Sequence, residues 1–224
     1  MTDTVSSSSP FARLLKAAAK IEPRETGAVV SAFFLFFFVL GSYFAVRPIR
    51  ETIASMLGSD YVADLWLYTA IFSIAIIPIY GWLIGKVRRT ILLPSIYGMV
   101  AVVLAVIGTM MADRDVDRTV GAVFYVWISV LNLMLVSVFW SFLLEMFSRE
   151  QTKRLFGVIA AGGTLGALVG PVTTRMLAEP LGDSGILYIG AAGFVGAIVC
   201  QRILLNLWTA APVVAGAAAS GEAK

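Results

Sequence analysis

Arg47, Arg50 and Glu51 lie within five residues of one another, with Pro48 among them. They follow directly on the apolar run AVVSAFFLFFFVLGS, and the chain turns apolar again in TIASM. A pair of guanidinium groups withdrawn from bulk water grips a phosphate or carboxylate bidentately. In a helix carried past Pro48, at about 100° per residue, Tyr43, Arg47, Arg50, Glu51 and Ala54 share one face. Arg47 and Glu51 are spaced one turn apart and so can pair. Pro48 removes the helical donor to the carbonyl of Phe44. Two placements satisfy these charges. A charge turned to lipid costs at least ~2.5–3.5 kcal/mol on insertion scales, so the face belongs against a bundle interior or a wet cavity. Alternatively the span ends at Arg47, and both arginines snorkel to the headgroups.

Three other groupings carry chemistry or motion. Tyr125, Ser129, Asn132 and Trp140 fall within about 80° of one another on a helical wheel, a stripe that suits either a solute cavity or hydrogen bonding to a neighbouring helix. Glu145 has Arg149 one turn ahead and Arg88 and Arg89 as further partners. The pair is either a latch or a surface ion pair. Gly162, Gly166 and Gly170 recur every four residues in FGVIAAGGTLGALVGP. Small residues at that spacing let another helix backbone approach closely, for packing alone or for packing that slides. Two nucleotide motifs are excluded. Lys86 after Gly85 lacks the spacing, the following Ser or Thr and the preceding strand of a phosphate loop, and GGTLG sits inside an apolar helix rather than after a strand.

The elements that must hold these residues are membrane helices. The chain is 59% hydrophobic and 14% charged, with a net charge of +3, no histidine and one cysteine. A soluble domain averages about 45–50% apolar and about 25% charged. The lack of histidine excludes imidazole-based triads and zinc sites. Neither a metal site nor any other cofactor is expected, and no catalytic set indicates an enzyme. Cys200, in an apolar run, reads as a buried structural thiol. The modest, scattered positive charge does not suit a nucleic-acid partner.

A span needs about 20 apolar residues. Six are expected: one starting near Gly27 and charge-free until Arg47, then Leu65 to Gly85, Ile91 to Met111, Val120 to Leu144, Leu155 to Leu177, and Gly185 to about Trp208. One side then holds ten basic residues (Arg13, Lys16, Lys20, Arg24, Lys86, Arg88, Arg89, Arg149, Lys153, Arg154). The other holds five (Arg47, Arg50, Arg114, Arg118, Arg175). The positive-inside rule places both termini in the cytoplasm, in a multi-pass protein of the cytoplasmic (inner) membrane. The domain plan is a disordered tail over 1–10, an interfacial amphipathic helix over 11–26, six transmembrane helices over 27–209, and a flexible tail or linker over 210–224.

Six helices with both ends inside, and the basic loop YGWLIGKVRRT between spans two and three, resemble half of a major facilitator superfamily transporter. Within that superfamily the chain resembles the ATP/ADP translocase family. There the first span ends in a tyrosine, a basic residue, a hydrophobic one, a second basic residue, an acid and a hydroxyl. The matching residues are Tyr43, Arg47, Ile49, Arg50, Glu51 and Thr52, and Lys153 to Pro171 resembles the entry to the family's fifth span. The chain departs from the pattern at GSDYVADLW, where nucleotide exchangers carry an acidic, lysine-bearing segment, and at Gly85, near the position of the superfamily loop's acid. The resemblance implies an antiporter-like exchange of nucleotides or another anionic solute, with Arg50 at a substrate-contacting position. It also implies a second six-helix half, from another copy or another chain. The rival expectation is a non-transporting six-helix scaffold or subunit.

Overall fold

The computed structural model describes residue 22 and residues 25–112 and 118–221, with the side chains of 59, 60 and 209–221 left aside. The tail expected over 1–10 and most of the interfacial helix expected over 11–26 lie outside these residues.

All secondary structure among the described residues is helical. The helices are α1 (Thr26–Leu57), α2 (Ser59–Lys86), α3 (Arg89–Ala112), α4 (Arg118–Met146) and α5 (Arg149–Gly221). All five are long and apolar enough to cross a membrane. Their breaks have local causes. Gly58 ends α1 at φ 87°, ψ 153°, and Gly182 interrupts α5 at φ 66°, ψ 178°. Both conformations lie in a region that is essentially glycine-only. α5 therefore comprises two segments, 149–181 and 183–221. The stretches expected as spans five and six fall one on each segment. Ser148 and Gln151 start α5 with a reciprocal capping box: Gln151 N–H donates to Ser148 Oγ at 3.3 Å and Ser148 N–H to Gln151 Oε1 at 3.0 Å.

Of the two placements open for the end of the first span, α1 takes the longer: it runs through Pro48 to Leu57. One boundary differs from the sequence expectation. The backbone stays helical through Gly221, so the stretch expected as a flexible tail over 210–224 is largely helix. Alanine, which dominates that stretch, is the strongest helix former.

The contacts fix the direction of each segment. Gly162, Gly166 and Gly170 meet Phe33, Phe37 and Gly41 in turn, so segment 149–181 runs parallel to α1. Leu207 lies against Gly27 and Val46 against Gly190, so segment 183–221 runs antiparallel to it. α4 is antiparallel to α1, since Phe36 stacks on Phe139 at 4.0 Å while Arg50 reaches Ser129. The core lies where α1, α3, α4 and segment 183–221 meet, around Leu35, Val39, Tyr97, Leu104, Phe139 and Phe194. α2 stands at the edge, held to α4 by Trp66–Tyr125 and Tyr80–Ser141 hydrogen bonds. Its Trp66, Phe72, Ile74 and Trp82 side chains are exposed. An apolar surface of that extent belongs in lipid, and the chain is a membrane-embedded helical protein.

Along the glycine face two helix backbones meet directly. A Cβ built on Gly162 or Gly166 would collide with the carbonyl oxygen of Phe33 or Phe37, and one on Gly170 would lie 2.5 Å from that of Gly41. One turn further on, Thr174 Oγ1 donates to the Ala45 carbonyl at 2.6 Å. Two parallel helices thus advance in step, four residues at a time, with a hydroxyl closing the row.

At the basic end, two ties that the sequence reading missed hold the helix starts. Arg154 Nη2 donates to both oxygens of Glu25, at 2.7 and 2.6 Å, and Gln151 Nε2 donates to Glu25 Oε1 at 2.8 Å. The first residues of α5 are thereby bound to the entry of α1. The clues were EPRE just before the first span and EQTKR just before the fifth. The second tie is Gln201, a fully buried polar residue whose Nε2 donates to the Thr90 carbonyl at 2.9 Å. Pro94, four residues on, has no N–H to give that carbonyl. Replacing Arg154 with glutamine removes charge-assisted bonds from the nearly buried Glu25. The expected cost is ~1.5–3 kcal/mol, read as a fall in melting temperature in detergent, with Arg149→Gln as the control that changes little.

Candidate functional site

α1, α4 and α2 bring one charged cluster together in the half of the bundle opposite the basic end. Arg50 leaves α1 toward α4. Its Nη1 donates to Ser129 Oγ at 2.9 Å, and its guanidinium carbon lies 5.2 Å from the centroid of the Tyr125 ring. Ser129 Oγ in turn donates a hydrogen bond to the Tyr125 carbonyl at 2.6 Å, and Trp66 Nε1 on α2 donates to the Tyr125 hydroxyl at 2.9 Å. Two further Arg50 donors go to Glu51: Nε to Oε1 at 3.1 Å, and Nη2 to the same oxygen in a short ion pair. The Arg50 side chain is only 17% exposed, while that of Glu51 is 56% exposed. A fixed cation with an open counter-ion results. A guanidinium over an aromatic face gains electrostatic attraction, and its orientation is set before any ligand arrives.

The expected pairing of Arg47 with Glu51 is corrected. Glu51 pairs with Arg50, because that long side chain folds back along the helix while it also reaches Ser129. Arg47 is exposed, with its guanidinium 5.7 Å from the Phe44 ring centroid. Tyr43 is 3% exposed in the main core, edge-on to Phe44, and so does not line an open surface. The α4 stripe also divides. Tyr125 and Ser129 join Arg50, Asn132 is exposed, and Trp140 packs among Phe36, Phe139 and Phe156. Trp66 is a cluster member that sequence reasoning missed, since nothing local links it to Tyr125 on α4.

At the basic end Glu145 meets Arg89 at 3.5 Å, with both side chains over a third exposed. Of the partners considered, this one ties α4 to α3. Arg88 is exposed and takes no part. A pair so open contributes about 0–1 kcal/mol. Among the described residues no group of acidic, cysteine or histidine side chains could hold a metal ion.

Compared with family models, with curated proteins and with solved structures, the chain has no match.

Proposed function

We propose that the chain crosses the membrane six times, with the two segments of α5 as the fifth and sixth spans. In this reading it serves as one half of a transporter of the major facilitator kind, resembling the ATP/ADP translocase family. The cargo is an anionic metabolite, a nucleotide or another phosphorylated or carboxylated solute, moved by alternating access and by exchange. Both termini then face the cytoplasm, and the membrane is the cytoplasmic one. One observation carries the reading: Arg50, a largely buried cation on a membrane-length helix, is held in position by Ser129 and Tyr125 and balanced by a single exposed carboxylate. A carboxylate or phosphate can displace Glu51 from the guanidinium without disturbing the Ser129 bond. The glycine row along α1 and α5 supplies a smooth seam on which segments can shift.

α1 also supports a second half. Although it is the central helix, it exposes Val30, Phe34, Arg47 and Glu51. Charged side chains left against lipid are costly, so another helical unit is expected over this face. In transporters of this kind the halves are related by an axis along the membrane normal, with the solute between them.

The test uses the purified full chain in lipid nanodiscs. Titration calorimetry against nucleotides, phosphate esters and dicarboxylates should give saturable binding of at least one anion. A cysteine placed at Phe34, in a Cys200→Ala background, should crosslink in native membranes to a product larger than the monomer. A monomer that binds none of these anions would leave the scaffold reading standing instead.

A further inference from the structure

At the basic end, on the side of the bundle away from the Arg50 cluster, a cavity of about 540 Å³ opens between α3 and segment 183–221. Thr90, Ser95 and Arg202 supply its polar wall, and Ile91, Pro94 and Leu205 its apolar one. Arg202 is exposed and makes no hydrogen bond or ion pair among the described residues. An exposed, unpaired guanidinium at the basic end of a membrane helix attracts anionic headgroups. Thr90 is the second residue of α3, where backbone N–H groups lack helical acceptors and favour negative charge. The N–H groups of Ile91 and Leu92 are taken up by the Arg88 carbonyl at 2.9 Å each, and that of Thr90 has no such acceptor among the described residues.

The arrangement is built rather than incidental. The bond from the buried Gln201 to the Thr90 carbonyl ties α3 to segment 183–221 at the residue next to Arg202. It sets the register that places Arg202, Thr90 and Ser95 around one cavity. The surroundings say what kind of anion fits. Ile91, Met99, Val199 and Ile203 on the same two elements are exposed and apolar, so a ligand whose phosphate meets Arg202 has a greasy track for its remainder. We propose that this cavity binds the headgroup phosphate of an acidic phospholipid in the leaflet at the basic end. Basic pockets between membrane helices select such lipids over zwitterionic ones. The site is independent of the anion cluster at Arg50, which sits toward the other end of the bundle on different helices.

The test is native mass spectrometry of the full chain released from mixed micelles holding phosphatidylglycerol or phosphatidylcholine at equal concentration. The wild-type chain should retain phosphatidylglycerol preferentially. Arg202→Gln should lower that adduct about fivefold and leave phosphatidylcholine adducts unchanged. Arg175→Gln, an exposed arginine at the opposite end of the bundle, should alter neither. Ser95→Leu fills the cavity from an exposed position and should reproduce the loss if Arg202→Gln proves unstable. Equal retention of the two lipids would overturn the proposal, as would equal losses from Arg202→Gln and Arg175→Gln. Displacement of phosphatidylglycerol by millimolar sodium phosphate would reassign the cavity to a soluble phosphate and overturn the lipid assignment.

Discussion

Alanine at Arg50 is expected to abolish measurable anion binding while the chain still inserts and folds. The guanidinium is the one cation fixed inside the cluster, and removing one partner of a desolvated charge pair costs about 2–5 kcal/mol, or at least thirtyfold in affinity. Folding should survive for local reasons. Ser129 keeps its bond to the Tyr125 carbonyl, Trp66 keeps the Tyr125 hydroxyl, and Glu51 is exposed enough to be solvated alone. Glu51→Gln should act in the opposite sense. Glu51 competes with any incoming anion for the same donors, so neutralising it should tighten binding several-fold. Arg47→Ala should have a smaller effect, because that side chain lies over Phe44 and outside the cluster. Calorimetry on the four proteins side by side is the measurement. Wild-type affinity in the Arg50→Ala protein would remove Arg50 from the solute site. Unchanged affinity in Glu51→Gln would show that the carboxylate does not compete.

The glycine row yields the second large effect. Gly166→Leu should destabilise the bundle by about 1–3 kcal/mol or more through overpacking, and Gly166→Ala should already be harmful. Even the first carbon of a side chain collides with the Phe37 carbonyl and lies 2.9 Å from the Gly41 nitrogen. The backbones of α1 and α5 must separate to admit it. That shift would loosen the neighbouring contacts at Gly162 and Gly170 and the Thr174 hydrogen bond. Gly157→Ala, in the same helix, is the control. Nothing lies within 4 Å of its added carbon, and alanine is favoured over glycine within a helix by up to about 1 kcal/mol. The same chemical change should therefore lower the melting temperature at 166 and hold or raise it at 157. Equal effects at the two positions would mean that the helices do not meet along the glycine row.

The sequence by itself determined that the chain is helical, apolar enough to sit in a membrane, and turned at short polar connections. These follow from composition and run length, because lipid offers the backbone no hydrogen-bond partners and leaves helices as the simple way to satisfy it. It also marked Gly162, Gly166 and Gly170 as a contact face, since a four-residue spacing of small residues has few other uses in a helix. It left open what those glycines touch. The parallel course of α1 and the first segment of α5, carbonyl by carbonyl, depends on residues more than a hundred positions apart. Partner choice among charges was undecided for the same reason. On a helical wheel Arg47 is the natural mate of Glu51, yet Arg50 takes it, because α4 presents Ser129 and Tyr125 on the side toward which Arg50 points. Asn132 shares a wheel sector with Ser129 but is exposed, since a wheel gives angles and not the position of the next helix. Gln201 and Thr90 lie far apart in the chain, and nothing local in either links them. Only the packing of α3 on segment 183–221 brings a buried amide to the carbonyl that Pro94 leaves unpaired, and with it sets Arg202 beside Thr90 and Ser95.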